Sequence, residues 1–178
     1  LSIPNYLTLL RIVLTPIFFI ALVSYAPEKE NCRIIALAIF IIASLTDALD
    51  GILARFLKQR TELGKMLDPL ADKILLISGY VGLLFVGTLP YRPPLWITIT
   101  ILFRDLFLLV GFIALNVMSI KMDVQPNWWG KLTTACQMLL LCFILLEWSV
   151  AQSLAYLTVS FTIISGIIYI TKGLKFIQ

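Results

Sequence analysis

Residues 6–25 read YLTLLRIVLTPIFFIALVSY, twenty positions with one charged side chain, Arg11. Apolar runs of similar length recur at 33–55, 66–89, 95–117, 132–148 and 153–171, the fifth being the shortest. Roughly 20 such residues carry a helix across the hydrocarbon of a bilayer, where a helix satisfies its backbone polar groups internally. The chain is therefore expected to be an all-α integral membrane protein, a six-transmembrane-helix bundle forming a single membrane domain over 1–178. Composition agrees: 60% of residues are hydrophobic and 13% charged, which excludes a soluble globule. The first run is long for the core of a cleavable signal and lacks a small-x-small cleavage site, so it reads as a span.

Lysine and arginine accumulate on the cytoplasmic side of membrane proteins. With the N-terminus inside, the inner face takes Arg55, Lys58, Arg60, Lys65, Lys121, Lys131, Lys172 and Lys175, leaving Lys29, Arg33 and Arg92 outside. Trp128 and Trp129 before the fifth span, and Trp148 after it, then fall in the interfacial aromatic belts. The net charge of +4 is scattered rather than gathered into a basic run, so anionic headgroups and phosphorylated substrates are expected partners and nucleic acid is not. Cys32, Cys136 and Cys142 show no metal-ligand spacing, and histidine is absent, which removes the commonest general base and argues against zinc.

Against this background LTDALDGILARFLKQRTELGKMLDPLADK, residues 45–73, carries four aspartates. On a helix Asp47, Asp50, Gly51 and Ala54 are i, i+3, i+4 and i+7, one stripe of two carboxylates beside two residues with almost no side chain. Asp68 and Asp72, i and i+4, share a face of the next span, with Pro69 tolerated in its first turns. With the second span ending inside and the third beginning inside, the four acids are expected to converge near the cytoplasmic face. Clustered like charges in low dielectric take up protons or cations, and an oxygen-only donor set suits Mg²⁺ or Mn²⁺, a pair about 4 Å apart being the usual arrangement for displacement at phosphorus. Gly51 and Ala54 allow a flat group such as a nucleotide to approach the backbone, or equally a neighbouring helix to pack closely, while the planar fork of Arg55 suits diphosphate oxygens.

These residues resemble the signature of the CDP-alcohol phosphotransferase family, D-x-x-D-G-x-x-A-R, eight residues, then G-x-x-x-D-x-x-x-D. Asp47, Asp50, Gly51, Ala54, Arg55, Gly64, Asp68 and Asp72 supply every fixed letter with both gaps kept. IPNYLTLLR near the start and GKLTTACQ at the fifth span are similar to the phosphatidylglycerophosphate synthase and cardiolipin synthase branches. The resemblance implies attack of an acceptor hydroxyl on the lipid-linked phosphorus of CDP-diacylglycerol with departure of CMP. It further implies that Asp47, Asp50 and Asp68 hold two divalent cations. Asp72 would be the base and also touch metal, and Gly51, Ala54, Arg55 and Gly64 would line the cytidine diphosphate site. Family members are commonly homodimers, and a bacterial cytoplasmic membrane with the site facing the cytoplasm is the expected location.

Other polar residues fit less specific roles. Asn5, Thr8 and Arg11 share a stripe at the inner start of the first span, as do Lys131, Thr134 and Gln137 in the fifth. Asn5 and Thr8 are candidates for cytidine or its phosphates, against simple helix capping for Asn5. Arg104 and Lys131 are candidates for an acceptor phosphate, against an ion pair with Asp105 for the first and snorkelling for the second. Arg11 would pair with the acidic pocket, and Glu147 reads as an interfacial carboxylate. The start motif favours glycerol-3-phosphate as acceptor. Arg104-Asp105 and Thr133, where many phosphatidylglycerophosphate synthases have Arg-Glu and lysine, look closer to the cardiolipin synthases, whose acceptor is phosphatidylglycerol. A prenyltransferase of the UbiA kind and an ion pathway are remoter alternatives.

Overall fold

The computed structural model describes residues 3–56, 62–117 and 128–174, with side chains described over 6–46, 70–114 and 128–171. These residues form six helices: α1 (Ile3–Val23), α2 (Glu30–Phe56), α3 (Glu62–Phe85), α4 (Leu95–Val117), α5 (Trp128–Leu145) and α6 (Val150–Leu174). Among the described residues four helical segments, Tyr6–Val23, Leu95–Ala114, Trp128–Leu145 and Val150–Thr171, are long and apolar enough to cross a membrane. Among the described residues all regular structure is helical, and the protein is integral to a membrane.

The helices overrun several of the hydropathy runs that predict them. α2 begins at Glu30, α3 at Glu62 and α6 at Val150, and Trp128 and Trp129 stand in the first turn of α5 rather than before it. Hydropathy marks what hydrocarbon tolerates, whereas a helix continues wherever its own hydrogen bonds can form. α3 instead stops short, at Phe85. Gly87 follows, and Pro90 disfavours helical backbone at the residue before it.

The chain divides into two units, Leu1–Leu89 and Pro90–Gln178. In the first, α1 packs against both α2 and α3. Its buried seam is Thr8, Arg11, Thr15, Phe18 and Leu22, spaced alternately three and four apart, the period of knobs packed into holes. α2 buries Ala36, Phe40 and Ala43 at the same spacing, and the Phe18 and Phe40 rings meet with centroids 5.4 Å apart. Because α1 and α2 run antiparallel, that contact sets Leu22 against Ala36 and Thr15 against Ala43, large against small. On α3, a Cβ placed on Gly82 would lie 2.5 Å from Leu22 Cδ2, so glycine is what lets α1 and α3 approach this closely.

In the second unit α6 packs against both α4 and α5. Its buried stripe is Ala151, Ala155, Thr158, Thr162 and Ser165, and α5 opposes it with Gly130, Thr133, Gln137, Leu140 and Ile144. Hydrocarbon supplies no hydrophobic drive between helices, so association rests on close van der Waals packing of this kind. The hydroxyls can face a dry seam because the helices' own carbonyls accept their hydrogens. Thr158 donates to Leu154 O and Thr162 to Thr158 O, both at 2.7 Å. Thr133 sits 2.7 Å from Trp129 O and 3.2 Å from Phe161 O, its one hydrogen shared between its own helix and α6.

α5 ends in a Schellman turn. Trp148 N–H donates to Phe143 O and Glu147 N–H to Ile144 O, each at 3.0 Å. The Trp148 and Phe143 rings close the turn at 5.2 Å. Glu147 holds the left-handed position, φ 55°, that glycine ordinarily occupies. The interfacial carboxylate of the sequence reading is thus also the pivot of the α5–α6 hairpin.

Candidate active site

The seam between α1 and α2 changes character toward the N-terminal end of α1. Continuing the α2 spacing beyond Ala36, Phe40 and Ala43 reaches positions 47 and 50, both within the helix. By the register that the Phe18–Phe40 contact sets, position 47 falls level with Arg11 and position 50 with Thr8, about 10 and 15 Å along the seam from those rings. α3 gives the same level independently. α1 and α3 run parallel, so from Leu22 on Gly82, three turns back on each helix pairs Arg11 with Ala71, beside Asp72, and one turn further pairs Thr8 with position 68. The two registers set all four aspartate positions at the height of a buried Thr8 and Arg11.

Of the aspartates, Asp72 has a described side chain, half-buried on α3 next to the fully packed Ala71. The side chains of Asp47, Asp50, Gly51, Ala54 and Arg55 on α2, Gly64 and Asp68 on α3, and Asn5 on α1 lie outside the described residues. Lys58, Arg60, Lys121 and Lys175 lie outside them altogether. Thr8 is buried, on the seam that leads to the aspartate positions.

Arg104 and Lys131 belong to the second unit. Arg104 Nη1 donates to Asp105 Oδ1 and Nη2 to Ser165 Oγ, each at 2.7 Å, while Nε has no hydrogen-bond partner among the described residues. The guanidinium carbon stands 5.9 Å from the centre of the Tyr169 ring. Gly130 clears the space: a Cβ there would meet Tyr169 Oη at 2.8 Å and Arg104 Nη2 at 3.6 Å. Both members of the Arg104–Asp105 pair are buried, the condition under which such a pair must be well hydrogen-bonded to persist. Lys131 is exposed, with Nζ 5.5 Å from the centre of the Trp128 ring. The expected stripe of Lys131, Thr134 and Gln137 is divided by packing, since Gln137 is on the buried seam and Lys131 is not.

Sequence reasoning did not anticipate the parts of Gly130, Ser165 and Tyr169 around Arg104. The signal available was the spacing of Thr158, Thr162, Ser165 and Tyr169 on α6, a polar stripe with helical period in an apolar run.

The profile of the CDP-alcohol phosphatidyltransferase family matches residues 1–164. The chain belongs to the CDP-alcohol phosphatidyltransferase family. Among its relatives, a Mycobacterium tuberculosis protein named "Probable phosphatidylglycerophosphate synthase" is 36% identical over 180 residues, covering 98% of this chain and 82% of its own. A Haemophilus influenzae protein named CDP-diacylglycerol–glycerol-3-phosphate 3-phosphatidyltransferase is 34% identical, covering 99% and 92%. A Bacillus subtilis protein of the same name is 34% identical, covering 97% and 95%. Membership of this phosphatidyltransferase family sets aside the prenyltransferase and ion-pathway alternatives.

Proposed function

We propose that this chain makes phosphatidylglycerophosphate, transferring the phosphatidyl group of CDP-diacylglycerol to glycerol-3-phosphate and releasing CMP. The observation that carries the reading is the complete aspartate motif on α2 and α3, four carboxylate positions level with one another beneath an apolar seam. The names of relatives that cover nearly the whole chain support glycerol-3-phosphate as acceptor. Phosphatidylglycerol, the acceptor suggested by Arg104-Asp105 and Thr133, is not favoured by them.

The donor set suits divalent cations, being four carboxylates in a chain without histidine. Asp47, Asp50, Asp68 and Asp72 would hold two Mg²⁺ or Mn²⁺ ions. Bound there, the ions supply charge neutralisation at the diphosphate and at departing CMP. Gly51, Ala54 and Gly64 leave room for the cytidine diphosphate, Arg55 forks onto its oxygens, and Asn5 and Thr8 border it from α1. Asp72 takes the proton of the acceptor hydroxyl. The freed oxygen bonds to the lipid-linked phosphorus, and the phosphorus–oxygen bond to CMP breaks, its electron pair leaving with CMP. Arg104 and Lys131 are the proposed holders of the acceptor phosphate.

All six helices span the membrane in this reading, α2 and α3 with the aspartates at their inner ends. Lysine and arginine put that end in the cytoplasm, at the inner membrane of a bacterium. The working form is a homodimer, as is common in the family. Purified protein in detergent, given CDP-diacylglycerol and Mg²⁺ with either glycerol-3-phosphate or phosphatidylglycerol, tests the assignment. CMP and phosphatidylglycerophosphate are expected with the first acceptor, and cardiolipin from the second alone would overturn it.

A further inference from the structure

Arg11 is the bulkiest wholly buried side chain of the described residues, with 0% of its surface exposed, in a helix that must sit in lipid. Burying a guanidinium costs several kcal/mol unless acids face it. α1 contains no acid. On α2, Glu30 lies seventeen residues from position 47, about 25 Å along the helix and far beyond an arginine's reach. The acids at its own height are the aspartate positions. The antiparallel seam sets Arg11 opposite position 47, and the parallel contact sets it beside Ala71 and Asp72. An arginine one seam step below Thr15, which donates to Arg11 O at 2.8 Å, is thus fixed in height by its own helix.

We propose that Arg11 is the resident counter-charge of the acidic cluster, a positioning residue that keeps Asp72, at the level of position 47, in place when divalent cations are absent. The proposal rests on the reading of these aspartates as metal-holding. Four carboxylates at one level repel one another, and a permanent cation among them allows the apo site to keep its shape instead of splaying or taking up protons. The same charge weakens the pull on entering cations, so the site trades affinity for a preformed geometry.

Arg11→Met in the full-length protein tests this by Mn²⁺ binding and by thermal melting with EDTA or with Mg²⁺. Expected are Mn²⁺ affinity tightened about tenfold, for loss of one neighbouring positive charge, and a melting temperature lowered chiefly in EDTA and restored by Mg²⁺. Turnover should fall on the order of 100-fold as the carboxylates lose their setting. An unchanged or weakened Mn²⁺ affinity, or a melting temperature lowered equally with and without cation, would overturn the proposal. If Arg11→Met does not accumulate in membranes, Arg11→Lys replaces it. That variant keeps the charge and should bind Mn²⁺ as wild type does while turning over more slowly, and altered affinity or wild-type turnover there would be fatal. A wild-type protein that binds no Mn²⁺ would instead bring down the metal reading itself.

Discussion

Asp72 stands alone among the four acids in being asked to move a proton, and its side chain can be neutralised with little change of shape. Asp72→Asn is expected to assemble normally and to lose about 10²- to 10⁴-fold in CMP release, the usual contribution of a positioned base. Wild-type turnover in that variant would remove Asp72 from the chemistry. Glu147 offers the opposite kind of test, since its left-handed backbone is strained for any residue with a Cβ. Glu147→Gly should stabilise the protein by roughly 1 kcal/mol, read as a raised melting temperature with activity unchanged. At this scale sequence and structure inform different residues. The aspartates were legible because hydrocarbon leaves no other reason for four acids at helical spacing. Glu147 was not, because nothing in LLEWSV announces that a glutamate will occupy a turn's glycine position.

α1 and α6 are the organising elements of their units, and each works by putting small groups where neighbours must come close. Gly82→Ala would drive a methyl group into Leu22, itself fully buried, so the cost is expected at about 1–3 kcal/mol in melting measurements even though the change lies far from the aspartates. The α5–α6 hydroxyl bridge is a milder device. Thr133→Val keeps shape and loses the hydrogen shared with Phe161 O, for which about 0.6 kcal/mol is expected, the average for such bonds in membrane bundles. Helix existence and order were legible from run length, because a bilayer imposes that length. Which face of each helix packs was harder to read. α1 and α6 carry polar stripes in otherwise apolar runs, and whether a stripe faces a neighbour depends on small residues and partners that no single helix carries.

On the proposed function, the acidic site of the whole molecule faces the cytoplasm, where the nucleotide end of its lipid substrate lies. Chelation by EDTA should abolish CMP release and re-addition of Mg²⁺ or Mn²⁺ should restore it, with retained activity in EDTA counting against the cation-filled site. Family and chemistry followed from the sequence, which also proposed the aspartate stripe, since a motif at fixed spacing on helices defines a stripe before any helix has a neighbour. Tertiary structure decided what the stripe faces. Only the pairing of Phe18 with Phe40 and of Leu22 with Gly82 sets the heights at which α2 and α3 meet Arg11. Only packing turns Arg104 toward Asp105, Ser165 and Tyr169 while leaving Lys131 exposed. The physical reason is that helical periodicity is a property of one chain segment, whereas register and burial belong to pairs of segments and are set by which side chains fit together in a medium that does not sort them by polarity.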